Sequence, residues 1–241
     1  MSKKSVQNKE ISSSDFIYTG KEELDNMALM VRYNQSIIHL IKKYMGDPDS
    51  ILDFGAGIGT LAEFFDKKKI ICLEIDQDQQ RVLKNKGFKV VSDLERIAND
   101  SMSFVYSSNV LEHIEDDNKV VHDLYEKVTP KGRILFYVPA FPLLYSSMDK
   151  RVGHFRRYTK ERLRKVVEQA GFTIEYVGYR DCLGFFATLL YKLIGSREGT
   201  TSKKSLLIYD RFLFPFSHLL DHVFSSFVGK NIVIVARKEE I

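Results

Sequence analysis

"ILDFGAGIGT", residues 51–60, sets a short apolar run ahead of three glycines, Gly55, Gly57 and Gly59, spaced one residue apart. Residues 51–54 read as a buried parallel strand, and a helix-compatible run, 60–65, follows the glycines. The loop is therefore a strand-to-helix turn. Glycine there permits positive φ and, lacking a Cβ, lets a ligand lie directly against the main chain. A dinucleotide site uses G-x-G-x-x-G, with the helix N-terminus facing a pyrophosphate. Here the third glycine comes one residue early and position 60 is Thr. A tight turn with no ligand explains the glycines equally well, so the sequence downstream has to decide.

That sequence alternates. "KIICLEID" gives a second strand, 69–74, and "DQDQQRVLKNKG" a helix closed by Gly87. "FKVVSD" and "MSFVYSSN" are strands three and four. In "DDNKVVHDLYEKVTPKG", Val120, Val121, Leu124 and Val128 recur at helical spacing until Pro130 and Gly132 end the helix. "RILFYVPA" is strand five. "TKERLRKVVEQAG" is a helix with Thr159 as N-cap, a stripe of Leu163, Val166, Val167 and Ala170, and Gly171 at its end. "FTIEYVGY" and "NIVIVARK" (231–238) complete seven strands, the last expected to be antiparallel. The fold class is α/β, a Rossmann-like, mostly parallel sheet with helices on both faces. Ligands of such sheets bind at the carboxyl ends of the strands, where the strand order reverses.

The chain has 241 residues, 44% hydrophobic and 28% charged, enough for one domain with a large core. Its two cysteines, Cys72 and Cys182, lie far apart in apolar contexts, so neither a disulfide framework nor a metal site is expected, and a reducing cytoplasm is. Residues 1–14 read as a disordered tail and 15–241 as the domain. The net charge of +4 is uneven. Residues 1–150 carry 20 Lys and Arg against 23 Asp and Glu; 151–241 carry 16 against 9. The basic part is also rich in Phe, Leu and Tyr, which favours an anionic substrate or membrane surface over a nucleic-acid groove.

At the strand ends lie Glu74, about 20 residues past Asp53, where a carboxylate reaches ribose hydroxyls; Asp93, in "VSDL"; and "SSNVLEHIEDD" after strand four. With "LDFGAGIG", "CLEID", "NVLEHI" and "VTPKGRILFYVPA" in this order, the sequence resembles a class I S-adenosylmethionine-dependent methyltransferase. "RYNQSIIHLIKKYMG" and "PAFPLLYSSMDKRVGHFRRYTKERLRKVVEQAGF" extend the likeness to the methyltransferase type 11/12 branch often associated with glycosyltransferases, over roughly residues 30–238. The resemblance implies S-adenosylmethionine as cofactor. It places Gly55, Ala56 and Gly57 against the methionyl and ribose parts, Asp53 on the ammonium side, Glu74 and Ile75 at the ribose, Ser92, Asp93 and Leu94 at the adenine, and Ser108 and Asn109 near the methionine end. Capping of a helix or turn is the alternative for Asp53 and Asp93.

For the acceptor, histidine is the usual base near neutral pH. His154, in "MDKRVGHFRRY", is the candidate base or acceptor-orienting group, with Arg156, Arg157 and Tyr158 gripping an anionic acceptor. The alternative is a surface loop held by salt bridges from Asp149 to Arg156 or Arg157. His113 flanks the pocket, and Tyr33 and Asn34 close it or simply pack. Residues 179–229 form an apolar helical insertion, a lid packed on the sheet or a membrane-facing element; after Pro215, Phe216, Leu220, Val223, Phe224 and Phe227 share one helical face. Its stretches are too short to span a bilayer. The expected reaction is methylation of a hydroxyl or amine on a small, anionic sugar, glycan or lipid-linked acceptor. Expected too are peripheral contact with the inner face of the membrane through 183–229, a homodimer as a further use of that surface, and no nucleic-acid partner. The competing classes are an RNA or protein methyltransferase and a non-catalytic cofactor-binding module.

Overall fold

The computed structural model describes residues 21–194 and 202–240; the expected tail lies outside them. β1 (Ile51–Phe54), β2 (Ile70–Leu73), β3 (Lys89–Val91), β4 (Met102–Ser108) and β5 (Val128–Pro139) run parallel, and β7 (Asn231–Arg237) lies antiparallel between β5 and β6 (Thr173–Arg180). The order is β3-β2-β1-β4-β5-β7-β6, so the direction of winding reverses between β1 and β4, directly beyond the glycine loop. All four residues of β1 are buried, as a strand covered on both faces requires.

Two apolar layers sandwich the sheet. On one face α4 (Asp117–Lys127) and α6 (Lys160–Gln169) bury Val121, Leu124, Leu163 and Val167. On the other, α2 (Val31–Met45) buries Tyr33, Ile37, Ile38 and Ile41, while α3 (Gln77–Asn85) contributes Leu83. Local chemistry sets most helix starts. Asp76, Asp116 and Thr159 accept amide hydrogen bonds from the first turns of α3, α4 and α6. The N-cap of α2, Met30, has no such side chain. Its first amides, Arg32 N and Tyr33 N, donate instead to Asp210, at 3.1 and 2.9 Å and more than 170 residues away.

Three expectations change. The run 60–65 makes only one 3-10 turn, Ala62–Phe64, because ten residues separate Gly59 from β2 and Phe65 is already extended. α4 stops at Lys127, not at Pro130: Thr129 precedes a proline and is pushed out of the helical region, and Val128 pairs with Met102 of β4. Pro130 and Gly132 thus fall inside an irregular start to β5.

The insertion differs most. Residues 179 and 180 belong to β6, and the insertion begins at Asp181 with α7 (Cys182–Ile194), α8 (Lys203–Ile208), a π-helical turn (Tyr209–Leu213) and α9 (Phe214–Phe224). Pro215 sits in the first turn of α9, where its missing N–H costs nothing. The lid packed by its apolar face is turned inside out. α9 buries Phe214, Ser217 and Asp221, whereas Phe216, Val223 and Phe227 are 64%, 69% and 75% exposed. The buried side is a polar lock: Asp221 accepts from Asp181 N and Cys182 N, and Asp181 accepts from Gly184 N, Ser217 Oγ and Tyr209 Oη. No helix among the described residues is long and apolar enough to cross a membrane.

Candidate functional site

Gly55, Gly57 and Gly59 all have positive φ, +79°, +56° and +83°. Their bareness serves packing as well as access. A Cβ on Gly55 would stand 2.4 Å from Val110 Cγ2, and one on Gly59 2.8 Å from Leu83 Cδ2. Over Gly57 the nearest atom is Leu24 Cδ1, 3.2 Å from where the Cβ would be, so α1 (Lys21–Ala28) reaches across the loop. Gly55 N and Ala56 N both donate to Leu73 O at 2.9 and 3.0 Å, which fastens the loop to the end of β2.

The acidic side chains meet there. Glu74 is 7% exposed and accepts from Gly57 N at 2.8 Å and Asp76 N at 2.9 Å, one bond to each oxygen. Burial pushes its carboxyl up, and those two amides oppose the rise. Asp53 lies beneath the loop, buried, and accepts from the Tyr106 hydroxyl at 2.8 Å. Burial raises it to about 7, with Tyr106 lowering and Glu74 adding to the shift. Asp53 caps no helix. Asp93 does: it accepts from Arg96 N at the 3-10 turn starting at Leu94, receives the Ser92 hydroxyl at 2.7 Å and pairs with Arg96 Nε at 2.9 Å. Ile75 and Ser92 share the rim of a shallow depression with Gln80 and Lys84. Asn109, ending β4, holds φ +54° and donates through Nδ2 to Ser108 Oγ. An asparagine tolerates that left-handed conformation better than most residues.

Beyond β4 and β5 a second group converges. Tyr33 is fully buried, its hydroxyl accepting from Asn231 Nδ2 at 3.2 Å beside Asn109 and Tyr137. Asn34 turns away and donates to Met27 O, fixing the turn between α1 and α2. His154 is oriented through Nδ1, 2.8 Å from Asp149 Oδ1, and its Nε2 stands 3.7 Å from Glu112 Oε1. The His113 and His154 rings meet edge to face at 4.5 Å. Burial, reinforced by His154, lowers His113 to about 4, so it is neutral at physiological pH. Burial raises Glu112 to about 7, opposed by His154. Burial acts to raise Asp149 too, but the His154 bond and the Arg157 charge outweigh it and hold that carboxyl well below the usual range.

The anion grip drawn from Arg156, Arg157 and Tyr158 is corrected. Arg157 is buried and pairs with Asp149 at 2.8 Å. Arg156 binds Ile114 O, Glu115 O and Asp117 Oδ2, and the wholly buried Tyr158 hydroxyl donates to Asp117 Oδ2. These groups are wall braces whose donors already have acceptors inside the protein. Sequence reading missed Glu112 because nothing in "LEHI" marks a glutamate whose two oxygens end up buried. It missed Asn231 and Lys230, which reach Tyr33 from the start of β7: Asn231 Nδ2 donates to the Tyr33 and Tyr137 hydroxyls, and Lys230 Nζ lies 5.7 Å over the Tyr33 ring.

Comparison with known proteins agrees with this architecture. The profile of a family described as a methyltransferase domain matches residues 28–177, well over half of the chain, and the chain belongs to that family. Its fold is that of class I S-adenosylmethionine-dependent methyltransferases. It is similar to a S-adenosylmethionine-dependent methyltransferase from Archaeoglobus fulgidus, at 20% identity and TM-score 0.56 over 85% of this chain and 94% of that one. A methyltransferase from Thermotoga maritima aligns at 13% identity and TM-score 0.63, over 92% and 98%. Phosphoethanolamine N-methyltransferase 2 from Haemonchus contortus, solved with S-adenosyl-L-methionine, aligns at 19% and 0.56, over 86% of this chain and 52% of that one. At these identities the likeness is one of fold. A search of curated protein sequences gave no match.

Proposed function

We propose that the chain transfers a methyl group from S-adenosylmethionine to a hydroxyl or amine of a small acceptor bound between Tyr33, Asn109 and His154. The observation that carries this reading is the Glu74 clamp. One buried carboxylate ties the bare loop after β1 to the end of β2 at the switch point, and the spare lone pairs of its two oxygens suit a pair of ribose hydroxyls. The residues fit the cofactor, since it carries no phosphate and the glycine spacing is not that of a pyrophosphate site. Asp53 faces its ammonium group, Ser92, Asp93 and Leu94 its adenine, and Ser108 and Asn109 its methionine end. When bound, the cofactor would supply a methyl on a sulfonium, the C–S electron pair staying on sulfur as the acceptor's lone pair takes the carbon and the acceptor's proton passes to solvent. The chain's own part is alignment, an effect worth up to about 7 to 11 kcal/mol. His154, locked by Asp149, orients the acceptor.

Calorimetry with S-adenosylmethionine, S-adenosylhomocysteine and NAD tests the cofactor, and its pH dependence tests Asp53. An ammonium ion requires the ionised carboxylate, whereas burial holds Asp53 half-protonated near pH 7 in the free protein. Affinity for both sulfur nucleotides is therefore expected to fall, by up to about tenfold per unit, as pH drops below 7, and to level off above it. Asp53→Asn is expected to flatten the profile. Tighter binding of NAD, or a flat profile in the unaltered protein between pH 5.5 and 7.5, would reject the assignment.

A lipid-linked or membrane-borne anionic acceptor accounts best for the outward face of the insertion. Phe186, Leu190, Phe212, Phe216, Val223 and Phe227 are all more than half exposed, with Lys192, Lys203, Lys204 and Arg211 among them. Apolar contact plus basic charge is the composition of an interfacial anchor. Vesicles containing anionic phospholipid are expected to pull the protein down, with neutral vesicles weaker by about 1 kcal/mol per basic residue at the surface. Phe216→Ser/Phe227→Ser is expected to release it. Equal sedimentation with both vesicle types, or a stable dimer in solution that those two substitutions dissociate, would remove the membrane reading.

A further inference from the structure

We propose that Glu112, His113 and His154 form a binding site for a divalent first-row transition-metal ion, placed on the acceptor side of the pocket. Each offers one ligand atom, and the three atoms lie within 4.8 Å of one another. Glu112 is fully buried, yet neither of its carboxylate oxygens accepts a hydrogen bond from any other residue. An ionised carboxylate buried in that state is costly, and a bound cation would relieve the cost. The nearby Arg157 is paired with Asp149, which leaves the His154 imidazole as the counterpart of Glu112 within the chain. Across from Glu112 Oε1, at 3.7 Å, stands His154 Nε2. With Nδ1 engaged by Asp149, Nε2 is the ring nitrogen left facing that oxygen, at a separation too long for a hydrogen bond. Two donors bound at about 2.1 Å to one ion with an open bond angle stand about 3.5 Å apart, close to this spacing.

The surroundings resemble those that prepare metal ligands. A ligating histidine is normally fixed through its other nitrogen by a carboxylate or carbonyl. Asp149 does this for His154, and is itself held by Arg157 and by Ser146 N and Oγ. His113 hydrogen-bonds the backbone of Val152 and Gly153. The turn that bears Glu112 and His113 is clamped from the same loop that bears His154: Phe155 N donates to Glu112 O, and Arg156 to Ile114 O and Glu115 O. Two imidazoles and one carboxylate, with no thiolate, select zinc, cobalt, manganese or iron over magnesium and calcium, and three protein ligands leave positions open. An oxygen-bearing acceptor would occupy them. No local motif marks the site, since 41 residues part the two histidines. The site's existence is independent of the proposed cofactor; its use in acceptor binding rests on the methyl-transfer reading.

The experiment uses untagged protein stripped with chelator, in a His222→Gln background, because His218 and His222 form an exposed i, i+4 pair on α9 that competes for metal. Zinc is titrated by calorimetry and cobalt by its visible absorption, with magnesium as control. One ion per chain at micromolar affinity or tighter is expected, weakened about a hundredfold by Glu112→Gln and by His154→Ala. S-adenosylhomocysteine affinity, measured in the same samples, reports folding and the cofactor reading separately. Loss of metal binding with nucleotide binding retained confirms the site. Failure to bind zinc or cobalt stoichiometrically, or binding that survives both substitutions, overturns it. Metal binding without nucleotide binding would sink the methyl-transfer reading and leave the site standing.

Discussion

Glu74→Ala is expected to weaken S-adenosylmethionine binding at least about a hundredfold while leaving the protein folded. The carboxylate does two things at once. It offers charged acceptors to ribose hydroxyls, each such bond being worth roughly 1.5 to 3 kcal/mol. It also holds Gly57 N and Asp76 N, so its removal loosens the loop against which the cofactor lies. A loss of about 2.8 kcal/mol, the hundredfold figure, is the lower end of those combined contributions. Glu74→Gln should fare little better, because its NH2 group would point at one of the two backbone amides. Calorimetry on both variants decides the matter. A Glu74→Ala protein that binds within threefold of the parent would show that the clamp only braces the turn.

Gly55→Ala is expected to destabilise the fold by about 3 kcal/mol or more, even though it adds a single methyl. That methyl would lie 2.4 and 2.7 Å from the two γ-carbons of Val110, and the residue would have to keep φ at +79°. The strained backbone costs roughly 1 to 2 kcal/mol and the overlap roughly 1 to 3. In a chain of this size the midpoint of thermal unfolding should fall by about 6 to 12 °C. The two contributions can be separated. Gly55→Ala/Val110→Ala should recover the overlap part but not the strain, and Gly87→Ala, at φ +83° with nothing within 4 Å, should show strain alone. If Gly55→Ala melts within 1 °C of the parent, the packing account of this glycine is wrong.

The sheet was legible in the sequence because buried parallel strands are written as continuous apolar runs, and "ILDF", "IICL" and "ILFYV" leave few other readings. The places of Glu74 and Asp53 beside the glycine loop were legible because position along such a sheet fixes what lies at a strand's end; their roles toward a cofactor belong to the proposed function. The roles of Arg156, Arg157 and Tyr158 were not. Residue type shows that a guanidinium can grip an anion; it does not show that Asp117, some 40 residues earlier, already engages Arg156 and Tyr158, whereas the Asp149–Arg157 salt bridge was the alternative the loop itself offered. The orientation of α9 was hidden for a related reason. Its periodicity marks an apolar face, but which face turns inward was decided by Asp221 and Ser217 finding buried partners at the start of α7. Non-local hydrogen bonds overrode a local pattern.

The capping of α2 by Asp210 has a consequence for how the protein is made. A ribosome that has just completed α2 at Met45 must add 165 more residues before Asp210, the acceptor for Arg32 N and Tyr33 N, exists, a delay of about 8 to 33 s at bacterial and eukaryotic elongation rates. β6 waits in the same way, since its neighbour in the sheet among the described residues, β7, is synthesised after it. Both ends of the sequence are thus needed to finish the packing around Tyr33. Tyr33 takes its place late in synthesis, when Asn231 arrives to donate to its hydroxyl, long after the glycine loop has been made.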